Sequence, residues 1–172
     1  MEVFEKLLDP ELYAYFKNAT FYENPVFHTA HKMVDFYIEF ENVIPLEIYE
    51  QIITKLQLSL HAHVKLHMHT KNSVIEMDEL DRYVNFFVEK YSDVKDFRFL
   101  HPYLENDTIC FSTRDESRLA ALNLALPSLM EKLADVGITQ EIVCKKVEDD
   151  IEIETAKVQV STPVVKQEPV KK

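Results

Sequence analysis

Glycine is almost missing from this chain: among 172 residues Gly137 stands alone. The Gly-rich phosphate loop, the GxGxxG dinucleotide fingerprint and the Walker sequence each need several glycines close together, so all three are excluded. Basic charge is also in short supply. Nineteen Lys and Arg against thirty Asp and Glu leave a formal charge of −11. Tight binding to DNA or RNA rests largely on neutralising phosphates with cations, and here the charges are mixed along the chain. Bulk affinity for nucleic acid is not expected. No apolar run reaches the length that spans a bilayer. The N-terminus, with Glu2 and Glu5 early and no small-residue cleavage site, does not read as a signal peptide. The two cysteines, Cys110 and Cys144, are far apart and lack CxxC spacing. They read as buried thiols in a reducing cytoplasm.

What is present is apolar surface: nearly half of the residues are hydrophobic and 11% are aromatic. That length suits one ordinary domain or two small ones, and two small units would gain by packing together. Leu7 and Leu8, then Pro10 to Phe16, suggest short helical turns, with Pro10 in a first turn. Ala19 to His28 reads as an edge or bulged strand, because Pro25 cannot donate to a ladder. Val34, Phe36, Ile38 and Phe40 alternate with Asp35, Tyr37, Glu39 and Glu41, the period of a half-buried strand. Pro45 opens a helix whose apolar stripe is Tyr49, Ile52, Ile53, Leu56 and Leu60. Val64, Leu66 and Met68 then alternate with His63, Lys65, His67 and His69, a strand that closes a first unit over residues 1–72.

Ser73 and Glu76 form a capping-box pattern, S-x-x-E, and the helix expected after it buries Met77, Leu80, Val84, Phe87, Val88 and Tyr91. Phe97, Phe99, Leu100 and Tyr103 are expected to pin the connection from Lys95 to Glu105. Thr108 to Ser112 reads as a short strand. Thr113 and Glu116 repeat the capping pattern before a long helix bearing Leu119, Leu122, Leu126, Leu129, Met130 and Leu133. Pro127 should bend it and Gly137 should end it. Ile138 to Val147 is the last strand of a second unit over residues 73–147. Residues 148–172, acidic at first and then Pro-containing, read as a linker or tail, with Ile151 and Ile153 able to prolong the last strand. The fold class is therefore α+β: two small units with helices packed on short mixed or antiparallel sheets.

No reaction centre emerges. His61, His63, His67 and His69 have equal parity and would share one strand face, and imidazoles at i and i+2 can chelate zinc or nickel. Lys65 stands among them and no Cys or adjacent Asp completes a set, so a solvated face is preferred to a metal site. Gln57-Leu58-Ser59-Leu60 resembles a sliding-clamp-binding peptide, but Leu60 lies in the helix stripe and core packing is preferred. The acidic pairs Asp78-Glu79 and Asp115-Glu116 suit first helical turns, where carboxylates meet the positive end of the helix dipole. Neither a catalytic residue nor a cofactor is expected. The residual signal is aromatic: Tyr13, Tyr15, Phe21, Tyr22 and Phe27 crowd one short stretch, as a protein-contact surface or as core.

Two blocks of sequence carry a family resemblance. Phe27-His28-Thr29-Ala30-His31-Lys32, Phe36-Tyr37-Ile38-Glu39-Phe40 and Val43-Ile44-Pro45-Leu46-Glu47-Ile48-Tyr49 resemble the start of PolC. PolC is the replicative DNA polymerase III α subunit of low-GC Gram-positive bacteria. Leu60-His61-Ala62-His63-Val64-Lys65 is similar to the matching stretch there, and so are Asn106-Asp107-Thr108-Ile109 and Gly137-Ile138 with the last strand. The resemblance covers residues 3 to about 147. It implies a place ahead of the OB, PHP, exonuclease and palm regions of a DNA-directed DNA polymerase with 3′–5′ exonuclease, with none of those catalytic centres inside this segment. It also implies a first unit like the α-binding C-terminal domain of the clamp-loader τ subunit and a KH-like second unit. Val34 departs from the family's Trp, and no GxxG loop is present for a KH-style clamp on backbone nucleotides. The function implied is noncatalytic docking of a cytoplasmic polymerase to replisome proteins, the clamp loader or other polymerase-associated subunits. The alternative is weak contact with single-stranded DNA. No membrane partner is implied. The candidate partner-binding residues are Phe21, Tyr22, Phe27, Tyr37 and His63.

Overall fold

The computed structural model describes residues 1–147; the expected tail, including Ile151 and Ile153, lies outside them. Short helices α1 (Glu2–Leu7) and α2 (Pro10–Tyr13) come first, followed by a 3₁₀ turn at Ala14–Phe16. Pro10 does sit in the first turn of α2, where its fixed φ suits the helix and its missing N–H is not needed. These turns carry Phe4 and Phe16 onto a three-stranded sheet made of β1 (Thr20–His28), β2 (Met33–Asn42) and β3 (His63–Asn72). The Phe4 ring stacks on Phe16 at 5.0 Å and meets the edge of Phe36 at 5.1 Å. Contacts of this kind contribute about 0.5–1.5 kcal/mol beyond area burial.

The strand order is β1-β2-β3, with β1 antiparallel and β3 parallel to β2. β1 is an edge strand, and its register slips between Phe21 and Glu23 and again between Glu23 and Val26, the stretch that holds Pro25. That is where a residue without an N–H can be tolerated. Helix α3 (Leu46–Leu60) makes the crossover from β2 to β3. It ends on His61 in the left-handed conformation, φ 52°. His61 therefore terminates a helix and does not stand on the strand with His63, His67 and His69, contrary to the parity reading.

The second unit comprises α4 (Met77–Lys90), a 3₁₀ segment at Ser92–Phe97, β4 (Tyr103–Glu105), β5 (Thr108–Thr113), α5 (Glu116–Ala134) and β6 (Ile142–Lys146). Its sheet repeats the arrangement of the first: β4-β5-β6, with β4 antiparallel and β6 parallel to β5. The β4–β5 hairpin turns on Asn106 and Asp107, both at positive φ. A two-residue turn of that hand matches strand twist, and Asn and Asp tolerate it better than most side chains. β4 was expected only as connection.

Several local expectations give way to competing chemistry. Helix α4 starts at Met77 with Glu76 in the cap position, and the Ser73 side chain makes no cap bond. Asp115, not Thr113, caps α5: its Oδ1 accepts from the Ser117 N–H at 2.9 Å, while Thr113 Oγ1 accepts from the Asp115 N–H. A carboxylate two residues nearer the helix takes the N-terminal donor first. Phe99 is 81% exposed and pins nothing, and Met130 lies outside the core while Ala125 lies in it. Tyr83, fully buried, donates its hydroxyl proton to the Ile44 carbonyl. Cys110 is buried as expected, but Cys144 is only partly so. The last strand begins at Ile142 and not at Ile138, because the residues just after α5 are taken up in ending it.

That ending joins the two units. The Gly137 N–H donates to the Ala134 carbonyl (2.9 Å) and the Ile138 N–H to the Leu133 carbonyl (2.9 Å), with Gly137 at φ +87°. This is the paired bonding of a Schellman cap, which favours glycine at the left-handed position. The turn lies along the free edge of β3. The Met68 N–H donates to the Asp135 carbonyl (2.9 Å), and the Thr70 hydroxyl donates to the Gly137 carbonyl (2.7 Å). An open strand edge is thereby covered, and buried residues of both units belong to one hydrophobic cluster.

Candidate docking surface

The first sheet buries its apolar face fully and its polar face in part, with Asp35 buried and Tyr37, Glu39 and His67 half-buried. Val34, Phe36, Ile38 and Phe40 of β2 and Val64, Leu66 and Met68 of β3 are buried beneath the helices, while His63, Lys65 and His69 on the opposite parity are exposed. Period-two alternation delivers this separation. Across the exposed face Tyr37 is registered with His67 and Glu39 with His69 on β3, and Glu23 with Tyr37 on β1.

The rings on this face are stacked in series. Tyr22 lies flat on His69, with centroids 3.8 Å apart and planes inclined by 5°, and meets Tyr37 edge-on at 5.9 Å. Tyr37 in turn stacks on His67 at 4.7 Å and 11°. Strand alternation separates the two neighbours: Phe21, paired with Ile38, turns inward to within 5.8 Å of the Phe4 ring, while Tyr22 turns outward. The Tyr22 hydroxyl donates to the His67 carbonyl at 3.3 Å.

Beneath the stack runs a line of charge. His67 Nε2 is 2.8 Å from Asp35 Oδ1, and His67 Nδ1 is 2.9 Å from Asp135 Oδ1; His28 Nε2 is 2.8 Å from Asp35 Oδ2. An ionised carboxylate only accepts hydrogen bonds, so both His67 bonds are complete when the ring is the imidazolium. Burial acts to raise the Asp35 carboxyl, but the hydrogen bonds from His67 and His28 together outweigh it and hold the group below the usual carboxylate range. The Tyr37 hydroxyl is pushed up, by burial first and then by Asp35, Glu23 and Asp135. Tyr22 is raised by burial, then by Asp135 and Glu23.

Of the five candidate residues, the structure brings Tyr22 and Tyr37 into one stack. His63 is exposed at the start of β3 on the same parity, Phe21 is on the opposite face, and Phe27 is 66% exposed toward the end of β1. His67, His69, Asp35 and Asp135 were not singled out as binding residues. The equal parity of the histidines was the available signal for two of them; nothing in the sequence ties Asp135 to β3. Histidine chemistry here is structural: His67 is occupied by two carboxylates and His69 by a ring. Among the described residues no three His, Cys, Asp or Glu side chains are grouped to hold a metal ion. The clamp-like tetrapeptide is helical, with Leu58 67% exposed and Gln57 Oε1 accepting from the Val64 N–H at 3.1 Å. No described helix is long and apolar enough to cross a membrane.

These features define an α+β module with a partly exposed, ring-bearing sheet face. Residues 2–70, which span the first unit almost completely, match the family model described as DNA polymerase III polC-type N-terminus I. Over these residues the chain is similar to the N-terminal region of PolC-type DNA polymerase III. No curated protein matches the chain in a sequence search.

Proposed function

We propose that this chain is a noncatalytic interaction module of a PolC-type replicative polymerase, docking the polymerase to other replisome proteins through the exposed face of its first sheet. The observation that carries the reading is the stack Tyr22–His69 and Tyr22–Tyr37–His67 on the polar, partly exposed face of the sheet. Tyrosine at a surface supplies large contact area at low entropic cost, and such residues dominate protein interfaces. A clamp loader or another polymerase-associated subunit is the partner class that fits a polymerase N-terminal region.

Single-stranded nucleic acid is the competing ligand, since bases also stack on rings. It needs cations along the groove, and here Glu23 and Glu39 flank Tyr37. A KH-style clamp is also missing its loop: Gly137, the lone glycine, is occupied in ending α5. The test is a titration of the purified chain against purified clamp-loader and polymerase-associated proteins, and in parallel against a labelled oligo-dT at low and moderate salt. Saturable protein binding that Tyr37→Ala weakens about tenfold or more supports docking. Tight, steeply salt-dependent oligo-dT binding without any protein partner contradicts it.

A further inference from the structure

We propose that the segment received by this face is basic, presenting Arg or Lys side chains to Tyr22 and Tyr37. The inference rests on the docking reading and adds the chemistry of what docks. Two carboxylates beside the rings have no cation of their own. Glu23, paired with Tyr37 across the strands, and Glu39, two residues along the same face of β2, form no ion pair among the described residues. Asp35 and Asp135, both bound to His67, lie below; Asp135 acts on both phenol hydroxyls and Asp35 on that of Tyr37. By strand parity the lysines on this face are Lys65 and Lys71 of β3, fewer than the carboxylates.

A π face attracts cations through its quadrupole, most of all where neighbouring charge is negative. A guanidinium laid on Tyr37 would lie beside the Glu23 and Glu39 carboxylates, and Arg satisfies stacking and charge-assisted hydrogen bonding at once. A phosphate backbone would meet the same two carboxylates with repulsion. The chain's formal charge of −11 acts in the same direction at longer range, steering basic partners inward.

The test uses the whole chain and three labelled probes: a short synthetic peptide rich in Arg and Lys, the same peptide with Glu in their place, and oligo-dT. The expected result is binding of the basic peptide alone, perturbing the Tyr22 and Tyr37 ring resonances in NMR spectra. The double variant Glu23→Lys, Glu39→Lys should weaken it roughly tenfold or more; both positions are solvent-accessible, and circular dichroism checks that the fold is intact. No binding of the basic peptide, equal binding of the acidic one, or affinity unchanged by the charge reversal overturns the inference. The docking reading is judged separately with a purified replisome protein. If Tyr37→Ala impairs that complex while the charge reversal leaves it unchanged, the face docks a partner that is not basic. If neither does, the docking reading fails too.

Discussion

His67 and Asp135, 68 residues apart in sequence, meet at 2.9 Å and tie the middle of β3 to the turn that ends α5. The other nitrogen of the same ring holds Asp35 at 2.8 Å, so one side chain joins two units. Replacing His67 by Ala leaves Asp35 nearly buried with one partner fewer, at a cost of about 1–3 kcal/mol. For a chain of this size each kcal/mol lowers Tm by roughly 2–4 °C. In double-mutant cycles the His67–Asp35 coupling should exceed the His67–Asp135 coupling, because the Asp35 side chain is 11% exposed and that of Asp135 42%. Equal, near-zero couplings would show the ring to be a bystander.

Acid should act through Asp35. Its carboxyl is held below the ordinary range in the folded chain, so it contributes stability above its unfolded value of about 3.9, and that contribution is lost as pH falls through the folded value. Urea midpoints measured between about pH 6 and 2 should fall less steeply for Asp35→Asn than for the parent. Parallel curves would remove Asp35 from the acid response.

Gly137 is irreplaceable on two counts. Its φ is +87°, and a Cβ there would lie 2.5 Å from Thr70 Cγ2. Gly137→Ala should cost about 1–3 kcal/mol in urea unfolding. Adding Thr70→Ser, which removes the clashing methyl and keeps the hydroxyl, should recover part of that loss and leave the φ strain. Full recovery would mean that backbone conformation is not limiting.

Both thiols should be slow to react. Burial pushes Cys110 up, and Cys144 is pushed up to about 11 by burial and then by Cys110. At neutral pH little thiolate is present. Reaction with a chromogenic disulfide should be slow for the native chain and fast in urea. Rapid native reaction confined to Cys144 would show that its strand opens readily.

Much of the architecture was readable because burial on one face leaves a periodic trace. The alternation of Val34, Phe36, Ile38 and Phe40, and of Val64, Leu66 and Met68, located β2 and β3, and Pro45 marked the start of α3. Cap geometry was not readable. Thr113-x-x-Glu116 has the right spacing, but Asp115 competes for the same donor, and His61 at a left-handed helix end looks in sequence like the first histidine of a strand. Of the surface, Tyr22 and Tyr37 were visible as aromatics. Their organisation was not, since the register slips that set Glu23 opposite Tyr37 leave no trace in the residue pattern, and Asp135 arrives from another unit through long-range packing.

The central claim is that the exposed face of the first sheet is where a replisome protein docks. Hydrogen–deuterium exchange of the whole chain with and without purified clamp loader at saturating concentration tests it most directly. The account predicts added protection in β1 and in the segments carrying Tyr37, His67 and His69, with the exposed side of α5 around Leu124 unchanged. Protection confined to α5 or the β4–β5 hairpin, with the first sheet unaltered, would contradict it.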